Sequence, residues 1–292
     1  MDRSRFIYSA LALLLCLGGT YAVRAHLADD WSDRALLTSR SSPALRYNLV
    51  PILCFHNVDG KGPYSVSQAK FREYLQQIRD AGIRVIPLQT LHKAARENRL
   101  LTEPSLVITI DDDYKNIVRV AAPILREFRY PASFFFYTAD ILNDPRWGTS
   151  WEDLRRLHAE GFDIQNHSYS HTIFHVRLPG ESRREYDQRL HREIYTSREI
   201  LQREVPDANL YAFAYPMGYF SDHLRDRLIE AGYELLLTTD SRPVDLTARF
   251  NGTFDRYTIQ KRFVRNPEAM FHRQLQYALR PYDPDARDVA AD

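Results

Sequence analysis

Two short stretches hold the residue types from which hydrolytic chemistry can be built. One is Thr109-Ile110-Asp111-Asp112-Asp113-Tyr114, and the other is Asn166-His167-Ser168-Tyr169-Ser170-His171. The first hangs a carboxylate cluster on the end of an apolar run, Leu106-Val107-Ile108. The second sets two imidazoles four residues apart, which on one helical turn would place both rings on the same face. Two histidines and one aspartate make three ligands for a divalent cation and leave positions open for water and substrate. A neighbouring carboxylate can then take the water's proton. Asp111 and Asp112 are consecutive, so on an extended chain they point to different places. Each stretch also has a plainer reading alone. Paired aspartates after a strand often cap the next helix or close a turn, and a lone histidine is usually structural. The joint presence of the two favours the site.

The elements that would carry these residues alternate between strand and helix. Strands are expected at Leu49–Phe55, Arg84–Ile86, Leu106–Ile110, Ala132–Phe136, Phe162–Ile164, Ala212–Tyr215, Glu234–Leu237 and Tyr257–Ile259. Helices are expected from the Ser67 cap to Ala81, and over Leu88–Glu97, Ile117–Phe128, Ser150–Gly161, Glu181–Arg203, Ser221–Ala231 and Pro267–Leu279. Such alternation calls for a parallel sheet with helices outside. Right-handed crossovers over this length favour a barrel or a distorted barrel. Both motifs, and Tyr215-Pro216-Met217-Gly218, fall where strands end.

On these residues the chain resembles a known family, the NodB-homology polysaccharide deacetylases (carbohydrate esterase family four). Their first motif runs T-F-D-D-G and their second H-[ST]-x-x-[HD]. The resemblance spans roughly residues 50–279 and is closest to the poly-N-acetylglucosamine deacetylase branch. There a strand like Pro51-Ile52-Leu53-Cys54-Phe55-His56-Asn57 precedes the first motif, and a phrase like Phe213-Ala214-Tyr215-Pro216-Met217-Gly218 forms the third. It implies an α/β fold, an irregular (β/α)7-type barrel with a single catalytic domain. It also implies one divalent metal ion, zinc first, with cobalt, nickel or manganese able to serve. By the same resemblance Asp111 is the general base, and Asp112, His167 and His171 are the metal ligands. The backbone N–H of Met217 helps hold the oxyanion, a role that needs only backbone geometry. His56, Tyr114, Tyr169 and Tyr215 are assigned to the substrate, with Tyr64, Trp147 and Tyr219 as further candidate rings. His175 and Asp240 rank lower, and Asn166 is a candidate to orient a ligand ring.

The chain departs from the family in three places. Asp113 stands where the family has Gly, a position that often needs φ > 0, which Asp tolerates better than most residues. The arginine that opens the third motif of many relatives, where it orients the base, is replaced by Phe213 or Ala214. The terminal L-x-H motif that supplies a general acid is not evident. The poly-N-acetylglucosamine branch shares the last two departures.

The N-terminus reads as an export signal: Arg3 and Arg5 precede an apolar run over Phe6–Val23. Residues 1–25 are therefore a signal peptide or a membrane anchor, and the positive flank sends the rest of the chain outward. That makes the protein periplasmic, extracellular or membrane-anchored. Residues 26–46 read as a linker with a short helix near Trp31, 47–280 as the catalytic domain, and 281–292 as a tail. Leu15 before Cys16 speaks against a lipoprotein. Beyond residue 25 only Cys54 remains of two cysteines, so no internal disulfide is expected. The net charge of +1 argues against a nucleic-acid partner, and the family resemblance implies a polysaccharide one.

The expected activity is removal of N-acetyl groups from N-acetylglucosamine residues of a polymer. Three competing readings stand beside it: an O-acetyl carbohydrate esterase, a catalytically silent polysaccharide-binding protein, and a non-haem iron oxygenase, which also uses two histidines and one carboxylate.

Overall fold

The computed structural model describes residues 45–143, 148–259 and 266–285. These belong to the compact unit Leu45–Asp292. The expected export segment, Cys16, most of the linker with the helix near Trp31, Trp147 and the end of the tail lie outside the described residues. Among the described residues no helix is long and apolar enough to cross a membrane.

The chain begins with β1 (Leu49–Val50) and β2 (Ile52–Phe55). The sequence predicts one strand there. Pro51 separates two, and β1 pairs antiparallel with a later strand. Helix α1 (Gln68–Asp80) starts at Ser67, whose side chain caps Lys70 N–H, and buries Phe71, Tyr74, Leu75 and Ile78. Then come β3 (Arg84–Val85), α2 (Leu88–Arg96) and β4 (Ser105–Asp111), which is buried along its whole length. A π-type turn (Ile117–Ala121) runs into α3 (Ala122–Phe128), followed by β5 (Ser133–Phe136).

Helix α4 (Thr138–Asn143) has no counterpart among the expected elements. Helix α5 (Trp151–Ala159) opens with a capping box between Ser150 and Asp153. Strand β6 (Asp163–Asn166) leads into the histidine segment. The expected long charged helix is α6 (Arg183–His191), a π turn (Arg192–Thr196) and α7 (Ser197–Glu204) in succession. Next are β7 (Ala212–Ala214), α8 (Asp222–Glu230) and β8 (Leu235–Leu237). Two short strands that the sequence pattern does not predict come after it, β9 (Val244–Asp245), the partner of β1, and β10 (Thr253–Phe254). Strand β11 (Tyr257–Thr258) and helix α9 (Pro267–Leu279) close the described chain.

The main sheet is parallel throughout, in the order β10-β8-β7-β6-β5-β4-β2-β11, with β3 beside β4. Strands β10 and β11 stand at opposite ends of that path, yet only Asp255 and Arg256 separate them in the chain. Three residue steps reach about 11 Å at most. The sheet must therefore curl until its two ends nearly meet, as a distorted barrel does.

Strand periodicity then sorts side chains into two layers. Leu53, Phe55, Leu106, Ile108, Ile110, Phe134, Phe136 and Ile164 pack in one core with α1, α3, α5 and α9. Ile52, Val107, Phe135, Ala212, Ala214, Leu235, Leu237 and Phe254 form a second core. Stepping by two along the second set leads from Val107 to Thr109 and Asp111, and from Phe254 to Arg256. The interior parity thus delivers an aspartate and an arginine to the same place.

Candidate active site

Asp111 is the last residue of β4 and is 2% exposed. Both its oxygens are held by Arg256, which is 0% exposed, at 2.7 and 2.8 Å. Arg256 also donates to Thr238 O and Thr109 Oγ1. Burial alone would raise the Asp111 pKa, but the Arg256 guanidinium, with His167 nearby, holds it well below the usual carboxylate range. The third motif lacks the arginine found in many relatives, and here an arginine reaches Asp111 from the turn between β10 and β11 instead. Sequence reasoning passes over Arg256. The one available signal is its place directly before the expected last strand.

The chain leaves β4 through a left-handed residue, and that residue is Asp112 (φ 74), not Asp113. The strain expected at the family's glycine position therefore falls one residue earlier. The turn throws the Asp112 carboxylate toward the histidines. Its Oδ1 lies 3.4 Å from His171 Nε2 and 3.8 Å from His167 Nε2. This oxygen is buried and accepts no hydrogen bond. Burial, reinforced by Asp111 and Asp113, pushes the Asp112 pKa up to about 6.

His167 follows β6 and continues its inward parity. Its Nδ1 lies 2.8 Å from Ala214 O on β7, so Nδ1 carries the proton and Nε2 presents a lone pair. Burial drives its pKa down to about 3, and burial lowers that of His171 as well. Both rings are therefore neutral near pH 7, the state a metal requires. The two histidines do not share a helical turn, as expected, but sit in a loop. Ser168 (φ 83) and His171 (φ 51) are both left-handed, and that double reversal brings the rings together, with centroids 4.9 Å apart.

Asp112, His167 and His171 therefore offer three ligand atoms, all within 4.8 Å of one another. Ligand atoms around a tetrahedral zinc stand about 3.4 Å apart, given bonds of about 2.0–2.2 Å. An orphaned carboxylate oxygen faced by two neutral imidazole rings fits a divalent cation. Cys54, His56 and Asp111 form a second cluster of similar size, but it does not fit one. Both Asp111 oxygens are committed to Arg256, and burial pushes the Cys54 thiol up, away from the thiolate that binds metals.

Asp113 is 4% exposed, with Oδ2 unpartnered against Gly148. Burial raises its pKa to about 6. Tyr114 is 37% exposed and bridges to Gly148, so its ring is open to the cleft. His56 directly follows β2, against Tyr64. The Tyr169 ring lies beneath the Arg192 guanidinium. Tyr215 is a correction: it is 1% exposed and packs against Phe213 and Phe220, so it cannot offer a ring face to a sugar. Tyr219 beside it is 53% exposed. Met217 (φ 57) lies three residues beyond Ala214, in the tight turn that follows β7. Asn166 orients no ring: it accepts from Ser168 N–H and donates to Ser197 Oγ and Tyr233 OH. His175 packs on Tyr219, and Asp240 is exposed, three residues beyond the end of β8.

A family model described as polysaccharide deacetylase matches residues 99–236. The matched stretch, just under half of the chain, is similar to polysaccharide deacetylase domains. The match takes in Asp111, Asp112, His167, His171 and Met217, while His56 and Arg256 fall outside it. The poly-beta-1,6-N-acetyl-D-glucosamine N-deacetylase of Escherichia coli (strain K12) is 22% identical over 272 residues, 80% of this chain and 39% of its own length. The Bacillus subtilis (strain 168) protein YxkH is 21% identical over 191 residues, 65% of this chain and 64% of its own. This chain thus spans less than two thirds of the length of each of these relatives.

Among solved structures, IcaB from Ammonifex degensii superposes with a TM-score of 0.66 at 20% identity, over 80% of this chain and 98% of that one. A de-N-acetylase from Aggregatibacter actinomycetemcomitans gives 0.66 at 19% identity, over 78% and 99%. The curled parallel sheet with its outer helices is the fold these deacetylases share.

Proposed function

We propose that this protein is an exported, metal-dependent hydrolase that removes N-acetyl groups from N-acetylglucosamine residues of a polysaccharide, with zinc as the first candidate metal. The observation that carries the reading is Asp112 Oδ1, buried and unpartnered between two imidazole Nε2 atoms. It lies at the strand ends of a stretch similar to polysaccharide deacetylase domains, and the E. coli relative is an N-deacetylase by name.

A divalent cation bound there supplies Lewis-acid polarisation of the amide carbonyl and a lowered pKa for water. The chain's own residues do the rest. Asp111 accepts the proton of the attacking water on a lone pair not used by Arg256; each carboxylate oxygen has two. Arg256 fixes the orientation of Asp111 and lowers its basicity. The Ala214 carbonyl holds His167 in one tautomer. The Met217 N–H is assigned to the oxyanion, and Tyr114 and His56 to the sugar.

Release of acetate is the test. The metal-free protein, and the protein loaded with zinc, are offered poly-N-acetylglucosamine, a chitooligosaccharide, peptidoglycan and an O-acetylated xylan. Acetate from an N-acetylated polymer, only after loading, supports the reading. Acetate from the xylan alone points to an esterase, and none from any substrate sinks the hydrolase. Export has its own test: a reporter enzyme fused after Trp31 should be active outside the cytosol, and activity confined to the cytosol would exclude it.

A further inference from the structure

Glu193 is 0% exposed, yet no step of the proposed reaction uses it. It sits on the π turn between α6 and α7, and its carboxylate is spent on the segment between the two histidines. Oε2 accepts from Tyr169 N–H at 3.1 Å and from Ser170 N–H at 2.9 Å, and Oε1 accepts from Ser170 Oγ at 2.7 Å. The same turn holds the start of that segment. Ser197 Oγ donates to Glu193 O and accepts from Asn166, and Asn166 Oδ1 accepts from Ser168 N–H. Ser168 Oγ in turn accepts from His171 N–H.

Both left-handed residues of the segment, Ser168 and His171, lie within this web. Two non-glycine residues at positive φ persist only when their surroundings over-determine them. Here a buried carboxyl group accepting three hydrogen bonds does so. π bulges inside helices recur at functional sites, and this one turns Glu193 and Ser197 toward the loop.

We propose that Glu193 is a positioning residue for the metal centre, fixing the turn at residues 168–171 so that His171 Nε2 meets His167 and Asp112. The proposal rests on the metal site of the proposed function. It makes the π turn, about twenty residues away in sequence, part of that site.

Cobalt(II) is the probe, because its visible absorption reports coordination geometry independently of turnover. Metal-free wild type, Glu193→Gln and Ser170→Ala are titrated with cobalt, and the thermal midpoint of each metal-free protein is recorded. Glu193→Gln keeps the shape but turns an amide N–H2 toward N–H and O–H donors. It should weaken cobalt binding about 10- to 100-fold, the usual cost of losing a supporting partner, and change the absorption band. Ser170→Ala removes one of the three bonds and should cause a smaller shift in the same direction.

A lowered midpoint with unchanged affinity and spectrum would make Glu193 merely structural and overturn the proposal. If Glu193→Gln does not fold, Ser170→Ala decides, and wild-type behaviour there overturns it too. If wild type binds cobalt but neither variant differs, the metal site stands without this inference. If wild type binds none, the metal site itself fails and the inference with it.

Discussion

Three consecutive aspartates do three different things here, and their surroundings decide which. Asp111 is locked to Arg256, Asp112 faces the histidines, and Asp113 lies against Gly148. Asp111→Asn should keep metal uptake but lower turnover about 10²–10⁴-fold, because an amide cannot accept the water's proton. It also strips a buried arginine of its charged partner, so uptake must be measured where the variant is still folded. Asp112→Asn should weaken metal uptake itself. If Asp113→Asn abolishes turnover while Asp111→Asn does not, the base has been misassigned and is Asp113.

A pH series tests the ligands separately. Burial drives the His167 pKa down to about 3 and lowers that of His171, whereas it raises that of Asp112 to about 6, so a proton on Asp112 competes with the metal from about pH 6 downward. Above that pH, binding releases no proton from Asp112 and affinity is flat. Below it one proton is displaced, so affinity should fall about tenfold per pH unit. Calorimetric titration that finds no change between pH 7 and pH 5 would remove Asp112 from the ligand set.

At the scale of elements, the end of β4 is shaped by what it meets across the cleft. Tyr114 bridges to Gly148, and Asp113 O accepts from Thr149 N–H at 2.8 Å. A Cβ on Gly148 would come 2.5 Å from Asp113 Oδ2. Gly148→Ala should therefore destabilise the protein by about 1–3 kcal/mol, the usual cost of overpacking. Asp113→Gly restores the family's residue, makes room, and should leave activity intact or raise it. Denaturant unfolding of both single variants and the double should show the double recovering most of the loss; additive losses would mean that the two residues do not touch.

Local physics makes the elements legible. Ser67, Ser150 and Ser221 all cap the helices expected of them, because capping depends on residues three apart. The aspartate cluster and the histidine pair are equally readable. What escapes is non-local or fine-grained. Arg256 meets Asp111 across 145 residues, and Glu193 sits in a helix whose sequence is charged throughout. The four-residue histidine spacing suggests a helical turn, but two left-handed residues achieve the same convergence in a loop. Tyr215 looks like an available ring, yet β7 parity and the Phe213 cluster bury it.

Across the unit that begins at Leu45, a curled sheet brings its strand ends to one small polar centre. The proposed ligands come from the segments that follow β4 and β6, His167 is braced on β7, and Asp111 is held by Arg256 between the strands at the sheet's two ends. Without a cation, the centre holds an unpaired buried carboxylate oxygen, an arrangement that costs free energy in a low-dielectric interior. A cation that binds only the folded chain stabilises it by mass action, by about 2.7 kcal/mol at a hundredfold excess over Kd. For a domain of this size, that amounts to a rise in Tm of roughly 5–10 °C. Chelation should lower the midpoint by this amount, and added zinc should restore it in proportion to the logarithm of its concentration. Asp112→Asn should abolish most of the response, while Asp111→Asn, whose side chain belongs to Arg256, should keep it. A midpoint indifferent to both chelator and zinc would mean that these strand ends hold no metal, and the hydrolytic reading would lose its foundation.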